Sequence, residues 1–207
     1  MRYLLLSSFF CLLFACKSSY KSLQSSPDSA AGCIQKFTPQ FTRVLYKTQV
    51  DIVGKHLSGI LLIKQMPDSS TRILFSNEMG FKFFDFEWKK DGAFTAHYVF
   101  DKMNKKAVIK TLRKDFELVL MNTLNWQSEK TFTQDSAVYH RFTAAKGYNY
   151  YITDPSCKEL LRIENASSRK TIVSLIMKDY ENGVPDTIGV SHKMFSFEIG
   201  LKKLTDE

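Results

Sequence analysis

The 207 residues carry 29 Lys and Arg against 21 Asp and Glu, a formal net charge of +8. Seventeen Phe and nine Tyr against nine Gly and five Pro exclude a disordered or collagen-like chain, and the length suits one domain with a real core better than two. A basic domain of this size meets anionic head groups, an acidic partner or nucleic acid.

The chain opens with Arg2 and an apolar run from Leu4 to Ala15, followed by Cys16. This run is shorter than the about 20 residues that cross a bilayer, and its charged start, apolar middle and small last residue predict a cleaved export signal over 1–15. The tetrapeptide Leu13-Phe14-Ala15-Cys16 resembles the lipobox of bacterial lipoproteins, with Phe14 bulkier than usual. The resemblance implies cleavage before Cys16 and acylation of its sulfur and new amine. The alternative is an ordinary signal with a chance cysteine. Lys17, where inner-membrane retention would have Asp, implies delivery to the outer membrane. An exported, acylated chain is not expected to meet nucleic acid. Residues 16–36, with a stretch rich in Ser, Lys and Ala around Pro27, are predicted to be the acylated cysteine and a flexible tether. The folded domain is then 37–207. Cys33 and Cys157 remain in a compartment that permits disulfides; they either pair or stay as two thiols.

From Phe41 the pattern becomes strand-like. Val44–Tyr46 with Val50–Ile52, then Leu57–Met66, Thr71–Ser76, Gly80–Trp88 and Ala93–Phe100, are separated by the turn signals Val53-Gly54, Pro67-Asp68-Ser69, Asn77-Glu78-Met79-Gly80 and Lys90-Asp91-Gly92. In Phe81, Phe83, Phe84, Phe86 and Trp88, aromatics occupy both phases of the alternation. Such a strand has one face on the core and the other covered as well. Asn104–Met121 then breaks the pattern. Val108, Ile109, Leu112, Phe116, Val119 and Leu120 fall within an arc of about 120° on a helical wheel, with Asp101 or Asn104 as the predicted cap. Lys106, Lys110, Arg113 and Lys114 form an opposed basic face, either simply solvated or able to meet acidic head groups or a carrier protein. Strands resume at Val138–Ala144, Tyr148–Thr153, Glu159–Glu164 and Thr171–Tyr180, and a last stretch runs from Thr187 to Leu204 with Met194, Phe195 and Phe197 in it.

The sum is a mainly β chain of about ten antiparallel strands with one helix after the fifth. A sheet this long must curl, and the amphipathic helix is predicted to cover its concave face as a lid. The interior is either packed by its own large side chains or holds an apolar cavity.

No constellation for catalysis emerges. His56, His97, His140 and His192 lie on separate strands without zinc-site spacing, and no HExxH motif or GxSxG elbow is present. Asp85 and Glu87, two apart on one strand, share a face. They read as a solvated surface pair, or as the acids of an envelope hydrolase. No metal and no cofactor is called for.

The order of elements over Leu57–Leu120 resembles the LolA/LolB-like carriers of the outer-membrane lipoprotein-sorting system, and within them the LolB branch, itself a lipoprotein. The matching features are Ser58-Gly59 opening a strand, the strand end Ile73-Leu74-Phe75, the turn Asn77-Glu78-Met79-Gly80 and a helix some twenty residues on. The resemblance implies an incomplete barrel whose helical lid covers a cavity for the acyl chains of lipoproteins. Val108, Ile109, Leu112, Phe116 and Val119, with Phe81 and Phe83, would form lid and cavity. Met79, framed by Asn77 and Gly80, would be the apolar tip that helps pass cargo into the membrane; the alternative is that it folds back under its turn. Glu78 stands where the family has Pro. The implied protein is a monomer, lipid-anchored in the outer membrane, facing the periplasm, with a periplasmic carrier as a further partner. The alternatives are a packed envelope scaffold and, last, the hydrolase using Asp85 and Glu87.

Overall fold

The computed structural model describes residues 19–26, 32–52 and 54–205. The predicted signal, Cys16 and Lys17 lie outside the described residues. Strands β1 (Gln24–Ser25), β2 (Arg43–Ile52), β3 (Lys55–Gln65), β4 (Thr71–Ser76), β5 (Lys82–Trp88) and β6 (Phe94–Val99) precede the helix α1 (Lys106–Leu120). After it come β7 (Lys130–Gln134), β8 (Ala137–Thr143), β9 (Tyr148–Thr153), β10 (Leu160–Ala166), β11 (Thr171–Glu181), β12 (Val184–His192) and β13 (Phe197–Lys203).

Alternation makes these strands. β2 buries Val44, Tyr46, Thr48 and Val50 and turns Arg43, Lys47, Gln49 and Asp51 outward, the period-2 pattern of a sheet with one wet face. Tight turns fix the register. Asn182 and Gly183 both take positive φ, 51° and 76°, between β11 and β12, as a two-residue hairpin turn requires.

All thirteen strands of the described residues form one antiparallel sheet, in the order β1-β7-β8-β9-β10-β11-β12-β13-β2-β3-β4-β5-β6. The chain therefore runs from mid-sheet at β2 out to the edge at β6. α1 then carries it across the concave side to β7, next to the short edge strand β1, and β13 finally seals against β2. This is an incomplete barrel with its helix across the opening.

The strand count exceeds the expected ten. β1 has two residues, β7 has one large apolar side chain (Phe132), and the stretch 187–204 divides into β12 and β13 around a turn without Gly or Pro. The helix thus follows β6 and starts at Lys106. Its cap differs from expectation too: Asp101–Met103 forms a 3-10 turn, Lys105 is the N-cap, and no side chain caps the first turn.

The segment expected as a free tether also takes structure. Tyr20 stacks on Tyr150 with ring centroids 4.4 Å apart, and its hydroxyl donates to Glu164 Oε2 at 2.5 Å. Gln24 and Ser25 pair with Thr133 and Phe132. Residues 33–37 form a 3-10 turn that buries Ile34 completely, and Cys33 is joined to Cys157 by a disulfide with Cα atoms 6.2 Å apart. Ile34, Phe37 and Phe41 join the main core. Tyr180 donates to the Phe37 carbonyl at 3.1 Å, which fastens this segment beside the β11–β12 turn.

Candidate functional site

The antiparallel register places the β2–β3, β4–β5, β8–β9, β10–β11 and β12–β13 turns at one end of the sheet, and β6 delivers the chain to α1 at that same end. The Ile34–Phe41 segment packs at the other. One end of the half-barrel is therefore plugged while the other carries the lid.

Beneath the lid lies a cavity of about 400 Å³, the size of a small-molecule site. Its walls are Val50, Ile52, Leu57, Leu61, Phe75, Phe83 and Phe84 from β2–β5, Phe197 and Ile199 from β13, and Val108, Leu112 and Phe116 from α1. Thr48 is a polar group on this wall, and its hydroxyl is taken up by the Tyr46 carbonyl at 3.1 Å. Phe100 and Met103 close one side, and Lys55, Lys102 and Lys105 stand among the lining residues.

Phe83 reaches the cavity through a β-bulge. Phe75 pairs with Phe84 but Ser76 pairs with Lys82, so Phe83 is the extra residue, and a bulge puts two consecutive side chains on one face. The doubled aromatic phase in the sequence has this origin. Phe84, Phe86 and Trp88 face the core in ordinary alternation, and Phe84 and Trp88 hold Phe116 of the lid at centroid distances of 5.8 and 6.1 Å.

The predicted lid residues separate into two groups. Val108, Leu112 and Phe116 line the cavity with Phe83. Val119 is fully buried and Ile109 packs on the core, both away from the lining. Phe81 stands outside as well: it is 43 % exposed, set edge-on to Phe83 and Phe100. The helix is buried on a further side that its apolar arc did not reveal. Asp115 is 1 % exposed, and both its oxygens lie within reach of His192 Nε2, at 2.9 and 3.1 Å. Burial raises the Asp115 carboxyl above the ordinary range, and His192 opposes this only in part. The basic face is mixed: Lys106, Lys110 and Lys114 are exposed, while Arg113 is tied to Glu117 at 2.7 Å and lies over the Phe94 ring.

The turn expected at a membrane is tightly built. Asn77 Oδ1 accepts from the N–H groups of Met79 and Phe81 at 3.0 and 2.8 Å, and its carbonyl accepts from Gly80 N–H, which sits at φ 83°. Met79 projects from it, 93 % exposed. Gly59 is required just behind: a Cβ there would lie 2.0 Å from the Ser76 carbonyl oxygen. At the same end, the β12–β13 turn exposes Met194 and Phe195. These two were legible only as apolar residues in a strand-like run.

Asp85 and Glu87 are neither a solvated pair nor two free acids. Asp85 is 2 % exposed and takes a two-pronged bond from Arg72, at 2.7 and 2.9 Å. Burial pushes its carboxyl up, but Arg72 and Lys82 more than reverse this and hold it below the usual carboxylate range. Glu87 is bonded to Ser70 and His97. Among the described residues no group of three or more His, Cys, Asp or Glu could hold a metal.

No family model matches the sequence, and no curated protein matches it. Solved structures do match in shape. A LolA superfamily protein, NE2245 from Nitrosomonas europaea, superposes with TM-score 0.52 at 9 % identity, covering 86 % of this chain and 94 % of its own. A domain from Vibrio parahaemolyticus described as outer membrane lipoprotein-sorting superposes with TM-score 0.50 at 6 % identity, covering 87 % and 92 %. The chain has a LolA-like fold.

Proposed function

We propose that this protein is a non-catalytic carrier that buries an acyl chain of a lipid or lipoprotein under α1 and assists its delivery to the outer membrane. The observation that carries the reading is the apolar cavity opening at the lid end of a sheet whose other end is plugged. Each methylene buried there contributes about 0.8 kcal/mol, so affinity comes from length of chain rather than from polar contacts. The fully exposed Met79, with Met194 and Phe195 at the same end, supports a role for these turns in contact with a bilayer. The chain is anchored through an acylated Cys16, faces the periplasm as a monomer and receives cargo from a periplasmic carrier. The engagement of Asp85 by Arg72 and of Glu87 by His97 argues against the hydrolase alternative.

The test is native mass spectrometry of the chain carrying Cys16→Ser, purified without detergent and offered a diacylated lipopeptide. A one-to-one complex is expected. Leu57→Trp, which fills a part-buried position of the cavity wall, should abolish the complex without unfolding the protein. A chain that stays lipid-free and ignores the lipopeptide sinks the proposal.

A further inference from the structure

Apart from Thr48, whose hydroxyl is taken up by the Tyr46 carbonyl, the cavity is apolar except where three cations stand, and their placement bears on the head of the ligand. Lys55 begins β3 directly after the β2–β3 turn. Lys102 lies in the 3-10 turn between β6 and α1, and Lys105 is the N-cap of α1. Two separate elements thus flank the mouth, and the charged residues they place in the lining are all cations. No carboxylate lines the cavity, and none of the three ammonium groups has an ion-pair partner among the described residues. The nearby acids are accounted for: Asp51 is bonded to His56 at 2.8 Å, and Asp101 lies outside the lining.

We infer that the occupant of this cavity is an anionic amphiphile, a single acyl chain ending in a carboxylate or phosphate that Lys55, Lys102 and Lys105 hold at the mouth. The inference rests on the carrier reading above and specifies its ligand. The physical argument is one of matching. Lysine stems cover apolar wall while their ammonium groups stay at the water boundary, so the three positive charges sit where the polar end of a buried chain must emerge. A neutral head there gains nothing from them, and a cationic head is repelled. The first turn of α1 carries no acidic residue and no side-chain cap, so the partial positive charge of the helix N-terminus adds to the same sign of potential. The volume agrees with one chain rather than several.

Anionic lipid chemistry has two sources, a monomer entering the cavity and the head groups of a bilayer against the same end of the molecule. The experiment separates them. The full chain with Cys16→Ser is titrated below micelle-forming concentrations with dodecanoate, dodecyl phosphate, dodecanol and dodecyltrimethylammonium, following the fluorescence of Trp88, which packs on the cavity residue Phe116. Both anions should bind roughly ten-fold more tightly than dodecanol, and added salt should narrow that gap. The triple variant Lys55→Gln, Lys102→Gln, Lys105→Gln should bind dodecanol as before and lose the preference. In a second arm the two proteins are floated with vesicles of neutral and of anionic phospholipid. Equal binding of anions and dodecanol by the unaltered protein overturns the inference and leaves the carrier reading intact. A triple variant that keeps its preference for anionic monomers while losing anionic vesicles also overturns it, by assigning the lysines to the bilayer. If no amphiphile binds, the carrier reading itself fails.

Discussion

Asp85 shows how little a carboxylate's place in a sequence says about its work. An acid two residues from another on a strand reads as surface, yet the outer face of β5 is covered by Arg72 from β4 and the side chain is all but sealed. The sequence could not show this, because the partner is set by the β4–β5 register and not by spacing. The ion pair is structural. Its folded carboxyl lies below the ordinary value near 3.8, so its contribution is fully present above that pH and is lost as pH falls through the folded value. Asp85→Asn should therefore cost about 1.5–3 kcal/mol at pH 7, toward the lower end because Arg72 is 37 % exposed and can turn to water. Urea unfolding at pH 7 and again below pH 4 checks this: the gap between the two proteins should close in acid. A gap independent of pH would mean that shape rather than charge is what the residue supplies.

At the scale of elements, the alternation of β2 to β6 and the turns between them were legible because each strand satisfies its pattern locally. The lid's inward arc was legible for the same reason, down to Val108, Leu112 and Phe116. Its second buried side was not. Asp115 is a charged residue just beyond the apolar arc, and the arrival of β12 makes it interior. The sheet side of the cavity, Val50 and Ile52 with Phe197 and Ile199, was hidden too, since it depends on β13 pairing with β2 from the far end of the chain. The Asp115–His192 pair is the lid's specific fastening. Removing one partner of such a pair leaves the other buried and uncompensated, so Asp115→Ala should cost about 3 kcal/mol and should speed amide exchange along α1. Replacing both, with Asp115→Leu and His192→Phe, should recover most of that stability, because well-packed apolar side chains replace a buried polar pair at little cost. The raised Asp115 carboxyl makes its own contribution greatest in acid and smaller as pH rises through the folded value. Amide-exchange protection along α1 should accordingly fall as pH rises from the ordinary carboxylate value of 3.8.

For the molecule as a whole, the disulfide ties the segment that plugs one end to the turn after β9, across 124 residues. Restricting so long a loop in the unfolded chain stabilises the fold by about 2–4 kcal/mol. Cys33→Ser with Cys157→Ser should lower the denaturation midpoint accordingly. It should also loosen Ile34 and Phe37 before the lid end is affected, which proton exchange at those residues would show. An unchanged midpoint would assign the plug's hold to Ile34, Phe37 and Tyr180 alone. Sequence placed both cysteines outside the strands but could not bring them together, because their approach depends on where the sheet's curl carries the β9–β10 turn.

The closing of β13 against β2 has a consequence for how the chain must be made. Every other neighbour in the sheet, save the two-residue β1 on β7, is also a neighbour in sequence, and α1 carries the chain from β6 to β7. Two meanders, one on each side of α1, can zip up as they emerge, yet each keeps an unsatisfied border until seven residues near the C-terminus slot between them like a keystone. Before that moment the nascent protein exposes two bare strand margins, the kind that recruit foreign strands, and shielding is needed longest for the part synthesised first.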